Sequence, residues 1–144
     1  RSSLSDKHWL YFPEDKFIFF RVGFPTNFSS SVAPPGKSSL YAEVAYAKYH
    51  PLNQAKLTRR IMQDLRRAKI LSSKDTVEVC LPLDIKYGYV IYDHNYKKST
   101  ELIHRFLQDH QVYAIGRYGR WKYMSMEDTI LDALAIAAFL SGKQ

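Results

Sequence analysis

The stretch that most restricts the fold runs from Val112 to Leu140. An apolar run, Val112-Tyr-Ala-Ile, ends on Gly116, Gly119 follows, and Ser125-Met-Glu-Asp then opens a strongly apolar segment. The apolar run predicts a short buried strand. Serine with an acid three residues on has the form of a capping box, so a helix is expected to begin at Met126 and continue to about Leu140. Ala133, Ala135, Ala137 and Ala138 give that helix a smooth surface suited to close packing. The product is a strand, a turn and a helix in succession. Glycines let the backbone come close to a ligand, and first-turn N–H groups with the positive end of the helix dipole favour negative charge. Arg117, Arg120 and Lys122 add full charges alongside, and arginine can grip phosphate through two parallel N–H bonds. These residues predict an anion-binding junction; an ordinary capped connection is the plainer alternative.

Upstream, His8-Trp-Leu-Tyr-Phe and Lys16-Phe-Ile-Phe-Phe-Arg-Val flank Pro13-Glu-Asp and read as a hairpin rich in aromatic and β-branched residues. Phe24 to Lys37 gathers Pro25, Asn27, Pro34, Pro35, Gly36 and several serines into a loop long enough to be functional. Ser39 to Tyr46 predicts a third strand, and Arg21 and Glu43 on neighbouring strands an ion pair. Between Asn53 and Lys69, Leu57, Ile61, Met62 and Leu65 recur at helical spacing. Lys56, Arg59, Arg60, Arg66 and Arg67 occupy most of the remaining circumference, which makes an amphipathic basic helix. Residues 76–82 and 86–92 read as strands, and Tyr96 to His110 as a second helix with Leu102, Ile103, Phe106 and Leu107 in one stripe. The order implies an α+β fold: a mixed β-sheet with flanking helices, without internal repeats.

With 46% hydrophobic and 15% aromatic residues, the chain is too apolar to stay disordered, and 144 residues suffice for about one domain. A single cysteine, Cys80, within Thr76-Val-Glu-Val-Cys-Leu, excludes an internal disulfide; a buried, inert thiol in a reducing, cytoplasmic setting is expected. No apolar run approaches the roughly 20 residues of a membrane span. The net charge of +7 admits nucleic acid, an anionic membrane surface or a phosphorylated ligand as partners. For the basic helix a solvated face is the leading reading, and nucleic acid is not the expected partner. His8, His50, His94, His104 and His110 lack paired metal-ligand spacing, so no metal is expected. Tyr41, Tyr46, Tyr49, Tyr87, Tyr89 and Tyr92 read first as sheet and core residues with wet hydroxyls, although a wall facing a substrate would look the same.

Gly116-Arg-Tyr-Gly-Arg-Trp-Lys-Tyr followed by Met126-Glu-Asp-Thr-Ile-Leu-Asp resembles the C-terminal flavin-binding segment of FAD-dependent enzymes of the amine-oxidase-like superfamily, which also takes in protoporphyrinogen oxidases and UDP-galactopyranose mutases. Gly88-Tyr-Val-Ile-Tyr-Asp93 echoes an upstream pattern of the mutases. The resemblance covers residues 87–133 closely and 8–46 more loosely. It implies that residues 1–110 form part of a substrate domain and residues 111–144 the last strand and helix of an FAD-binding domain. On this reading Gly116, Arg117, Tyr118, Gly119, Trp121, Ser125, Met126 and Glu127 bind cofactor: Arg117 near the diphosphate or ribityl chain, Trp121 along the ring, and the Met126 and Glu127 amides at the pyrimidine end. Tyr123 and Tyr92 would face a small-molecule substrate, and no residue is assigned as catalytic acid or base.

The Gly-x-Gly-x-x-Gly that would hold the adenine-side diphosphate is absent. The expectation is therefore a portion of a longer oxidoreductase, inactive alone, whose partner is the FAD-binding part of its parent chain. A mutase-like flavoenzyme of glycan biosynthesis is an alternative, although Ser125 stands where the mutases carry Asp. A non-catalytic basic binding module is another.

Overall fold

The computed structural model describes residues 3–46 and 53–142; Tyr49 and His50 lie outside them. The chain divides into two compact units, Arg1–Leu83 and Asp84–Gln144.

In the first unit the expected hairpin forms. Strand β1 (Trp9–Tyr11) pairs antiparallel with β2 (Arg21–Gly23), which pairs antiparallel with β3 (Tyr41–Glu43). Strand alternation puts Leu10, Val22 and Ala42 on one face, packed in or against a core of Phe19, Val22, Phe24, Leu65, Ile70 and Leu71. Burying each of the larger core side chains stabilises the unit by about 1.5–3 kcal/mol. The opposite face carries Trp9, Tyr11 and Tyr41, all exposed. There the register sets Arg21 against Glu43, and the expected ion pair is present at 2.6 Å. The proline- and serine-rich loop folds into two 3-10 turns, Pro25–Asn27 and Ser30–Val32.

Helix α1 (Gln54–Arg67) is capped by the Asn53 side chain, which accepts from the Lys56 N–H. Its apolar stripe seats Leu65 in the core with Ile61 and Met62 against it. The helix ends in a Schellman arrangement: the Ile70 N–H reaches the Leu65 carbonyl, the Lys69 N–H reaches Arg66, and Lys69 adopts φ 61°. This reversal returns Ile70 and Leu71 to the core. Asp64, fully buried, accepts from the Ile18 N–H at 2.9 Å and from Arg60 Nε at 2.8 Å. Arg60 and Arg67 also donate to the Lys16 carbonyl. Burial works against the Asp64 carboxylate, but the Arg60 guanidinium, the Ile18 N–H and Arg67 prevail and hold its pKa below the usual range.

The second unit comprises α2 (Tyr96–Asp109), a single helical turn α3 (Gly116–Gly119) and α4 (Met126–Leu140). Tyr96 Oη donates to the Trp121 carbonyl at 2.8 Å, and His104 Nε2 lies 3.1 Å from the Gly119 carbonyl. Helix α4 is apolar around much of its circumference, yet Met126, Ile130, Leu131, Leu134, Phe139 and Leu140 are exposed. The α2 stripe of Leu102, Ile103 and Phe106 is exposed as well.

Three expectations are corrected. The sheet is purely antiparallel among the described residues, rather than mixed. Residues 76–82, 86–92 and 112–115 form no strand there, because their backbone N–H and C=O groups meet no neighbouring ladder. Cys80 is exposed rather than buried, since the run holding it is not an interior strand. The α+β class holds.

Candidate functional site

The glycine-flanked turn is built around one carboxylate. Asp132, on the second turn of α4, accepts the Gly116 N–H at 2.7 Å and pairs through both oxygens with Arg120, Nη2 to Oδ1 at 2.8 Å and Nε to Oδ2 at 3.2 Å. Hydrogen bonding from Arg120 and then from Gly116 holds the Asp132 pKa below the ordinary value of 3.8. Gly116 is buried with φ +72°, a conformation that side chains disfavour. At Gly119 a Cβ would come within 3.0 Å of the Ala114 carbonyl carbon. Both glycines therefore serve the internal packing of the turn, and the Gly116 N–H is committed to Asp132. Arg120, expected to face an anion, is neutralised instead by Asp132.

Arg117 stands in different surroundings. It is half-buried, with its guanidinium carbon 5.1 Å from the Tyr89 ring centre and 4.9 Å from that of Tyr123. Those rings lie nearly parallel, 12° apart in plane and 6.3 Å between centroids. Arg117 Nη2 donates to the Gly88 carbonyl at 3.3 Å, a long bond. Among the described residues no carboxylate pairs with it. Around this cation the segment 87–92 is fastened to the turn. Tyr118 Oη donates to the Tyr87 carbonyl at 3.0 Å, and the Tyr123 N–H donates to Tyr92 Oη at 2.7 Å. Trp121, in a left-handed conformation at φ 49°, lies edge-on to Tyr87 with centroids 6.3 Å apart. Tyr92 packs against Tyr96.

At the start of α4 the expected capping box is complete. Ser125 Oγ accepts from the Asp128 N–H, and the Asp128 carboxylate accepts from the Ser125 N–H at 2.8 Å. This fills the third-residue amide and leaves the first-turn N–H groups of Met126 and Glu127 without an intrahelical acceptor. Backbone and side-chain bonds from Ser125 lower the Asp128 pKa.

The structure thus brings Arg117, Tyr118, Trp121, Tyr123 and Tyr92 into one aromatic and cationic cluster, with Ser125, Met126 and Glu127 following directly in the chain. Sequence reasoning missed Asp132, whose spacing from Asp128 on one helix face was the available signal. It also placed Tyr87, Tyr89 and Tyr92 first among core residues, whereas all three are exposed around Arg117.

No family model matches the chain. A crystal structure of reduced UDP-galactopyranose mutase does match. The TM-score is 0.87 and the sequence identity 26%, over 98% of this chain and 30% of that one. The chain therefore spans under a third of the length of that enzyme, and its fold is similar to a segment of it.

Proposed function

We propose that the chain is part of an FAD-dependent enzyme on the frame shared by amine-oxidase-like oxidoreductases and UDP-galactopyranose mutases, and that it forms one wall of the flavin site with the adjoining substrate pocket. Arg117 carries this reading: a half-buried guanidinium among tyrosines, with no carboxylate among the described residues to balance it. Such a cation lacks only an anionic group, and a diphosphate supplies one in the geometry guanidinium favours. The likeness to a UDP-galactopyranose mutase supports the same frame. The exposed apolar surface of α4 is further support, because a helix apolar on most sides needs cover.

FAD, when bound, supplies the redox and covalent chemistry of the flavin ring. The chain's own residues hold and orient. Arg117 balances a diphosphate, the Met126 and Glu127 N–H groups with the α4 dipole favour negative charge at the ring's edge, and Tyr123 and Tyr92 present a hydrogen-bonded aromatic face to substrate. Lacking the glycine-rich diphosphate motif, the chain gives one wall only.

Two activities fit this frame. An oxidoreductase acts on an amine or a comparable oxidisable substrate, whereas the mutase-like reading gives a nucleotide sugar as the substrate. The structural likeness supports both readings equally, and Ser125 in place of Asp is a departure the second must accommodate. Assaying the full-length protein for UDP-galactopyranose mutase activity and for substrate-dependent flavin reduction separates them. In that protein Arg117→Ala should weaken retention of FAD or of a nucleotide diphosphate by roughly tenfold to a hundredfold, the worth of a charge-assisted hydrogen bond. Unchanged retention of both would remove Arg117 from the site. A non-catalytic basic module predicts no flavin at all.

A further inference from the structure

The charge of the chain is concentrated in one place. Between Asn53 and Lys69 stand six of its 21 lysines and arginines but only one of its 14 acids, and that acid, Asp64, is buried. At about 100° per residue, Lys56, Arg59, Arg60, Gln63, Arg66 and Arg67 fall within roughly a third of the α1 circumference, along about 16 Å of its length. Arg60 and Arg67 are braced by Asp64 and the Lys16 carbonyl. Lys56, Arg59 and Arg66 are exposed and have no acidic partner among the described residues. The opposite side of the helix is spent on the core.

We propose that this face of α1 docks the protein peripherally on an anionic membrane surface. A row of cations on a convex helix, two of them braced guanidinium groups and the other three exposed, suits a flat array of lipid phosphates, and each cation near such a surface strengthens attachment about fivefold. The row contains no aromatic side chain on which an unpaired base could stack, which disfavours single-stranded nucleic acid. With its apolar side buried the helix inserts nothing, so attachment is electrostatic and reversible by salt. No helix among the described residues is long and apolar enough to cross a membrane.

The test is co-sedimentation of the full-length protein with phosphatidylcholine vesicles, with and without phosphatidylglycerol, at low and raised salt. Wild type should bind only the anionic vesicles and be released by salt. Lys56→Gln/Arg59→Gln/Arg66→Gln should bind about a hundredfold more weakly, while Lys97→Gln/Lys98→Gln/Arg105→Gln, which removes the same charge from α2, should bind as wild type does. Absence of binding to anionic vesicles, equal loss in both triple variants, or unaltered binding in the first would overturn the proposal. So would capture of a fluorescent DNA duplex by a protein that ignores the vesicles.

Discussion

Replacing Asp132 by alanine removes the carboxylate around which the glycine turn closes. The Gly116 N–H, buried and bonded to Asp132 at 2.7 Å, is left without an acceptor, which costs about 1–3 kcal/mol. Arg120 loses a bidentate partner, but its side chain is 33% exposed against 13% for Asp132, so water recovers much of that interaction and about 1 kcal/mol is a fair share. The turn should therefore open more easily by about 2–4 kcal/mol. Native-state hydrogen exchange at the Gly116 amide reads this directly, with acceleration by roughly thirtyfold to a thousandfold. Asp132→Asn keeps one oxygen for the Gly116 N–H and should show about half the free-energy effect. The pH dependence has a definite sign. Because the folded pKa is depressed, the contribution of Asp132 is fully present above the ordinary value of 3.8 and lost as pH falls through the folded pKa. The gap between wild type and Asp132→Ala should accordingly narrow only at pH below about 3.8. Exchange at Gly116 that stays within threefold of wild type in Asp132→Ala would refute this account of the turn.

Ser125→Ala should destabilise the start of α4 by about 1 kcal/mol, seen as faster amide exchange at Asp128, whose N–H loses its cap. Asp64→Ala should lower the stability of the first unit by about 2–4 kcal/mol in denaturant titration, because it leaves the Ile18 N–H without its acceptor and leaves Arg60 and Arg67, both about half exposed, only the Lys16 carbonyl and water. A stability loss under 1 kcal/mol would show that Asp64 is not what fastens the 16–18 loop to α1.

The elements legible in the sequence were those whose signal is local. Ser125 announces its helix because a cap needs only a few adjacent residues, and the helix begins where that residue places it. The Arg21 and Glu43 pair was legible because strand alternation fixes its register. What was not legible depends on distant chain. Asp64 among arginines looks like a surface acid, and only the Lys16–Ile18 loop laid against α1 shows that it is buried. Residues 76–82, 86–92 and 112–115 carry strand-like composition, but composition does not supply the neighbouring strand, and Cys80 is exposed for the same reason. Around the candidate site, the glycine turn and its arginines could be read from spacing. Which arginine is neutralised could not: Arg120 meets Asp132, and Arg117 meets only tyrosines and a carbonyl.

The visible spectrum of the full-length protein, purified without added cofactor and then after reconstitution with FAD, tests the central claim most directly. Absorption bands of protein-bound flavin that diminish in Arg117→Ala are the predicted result. A colourless protein that takes up no flavin on reconstitution would contradict it.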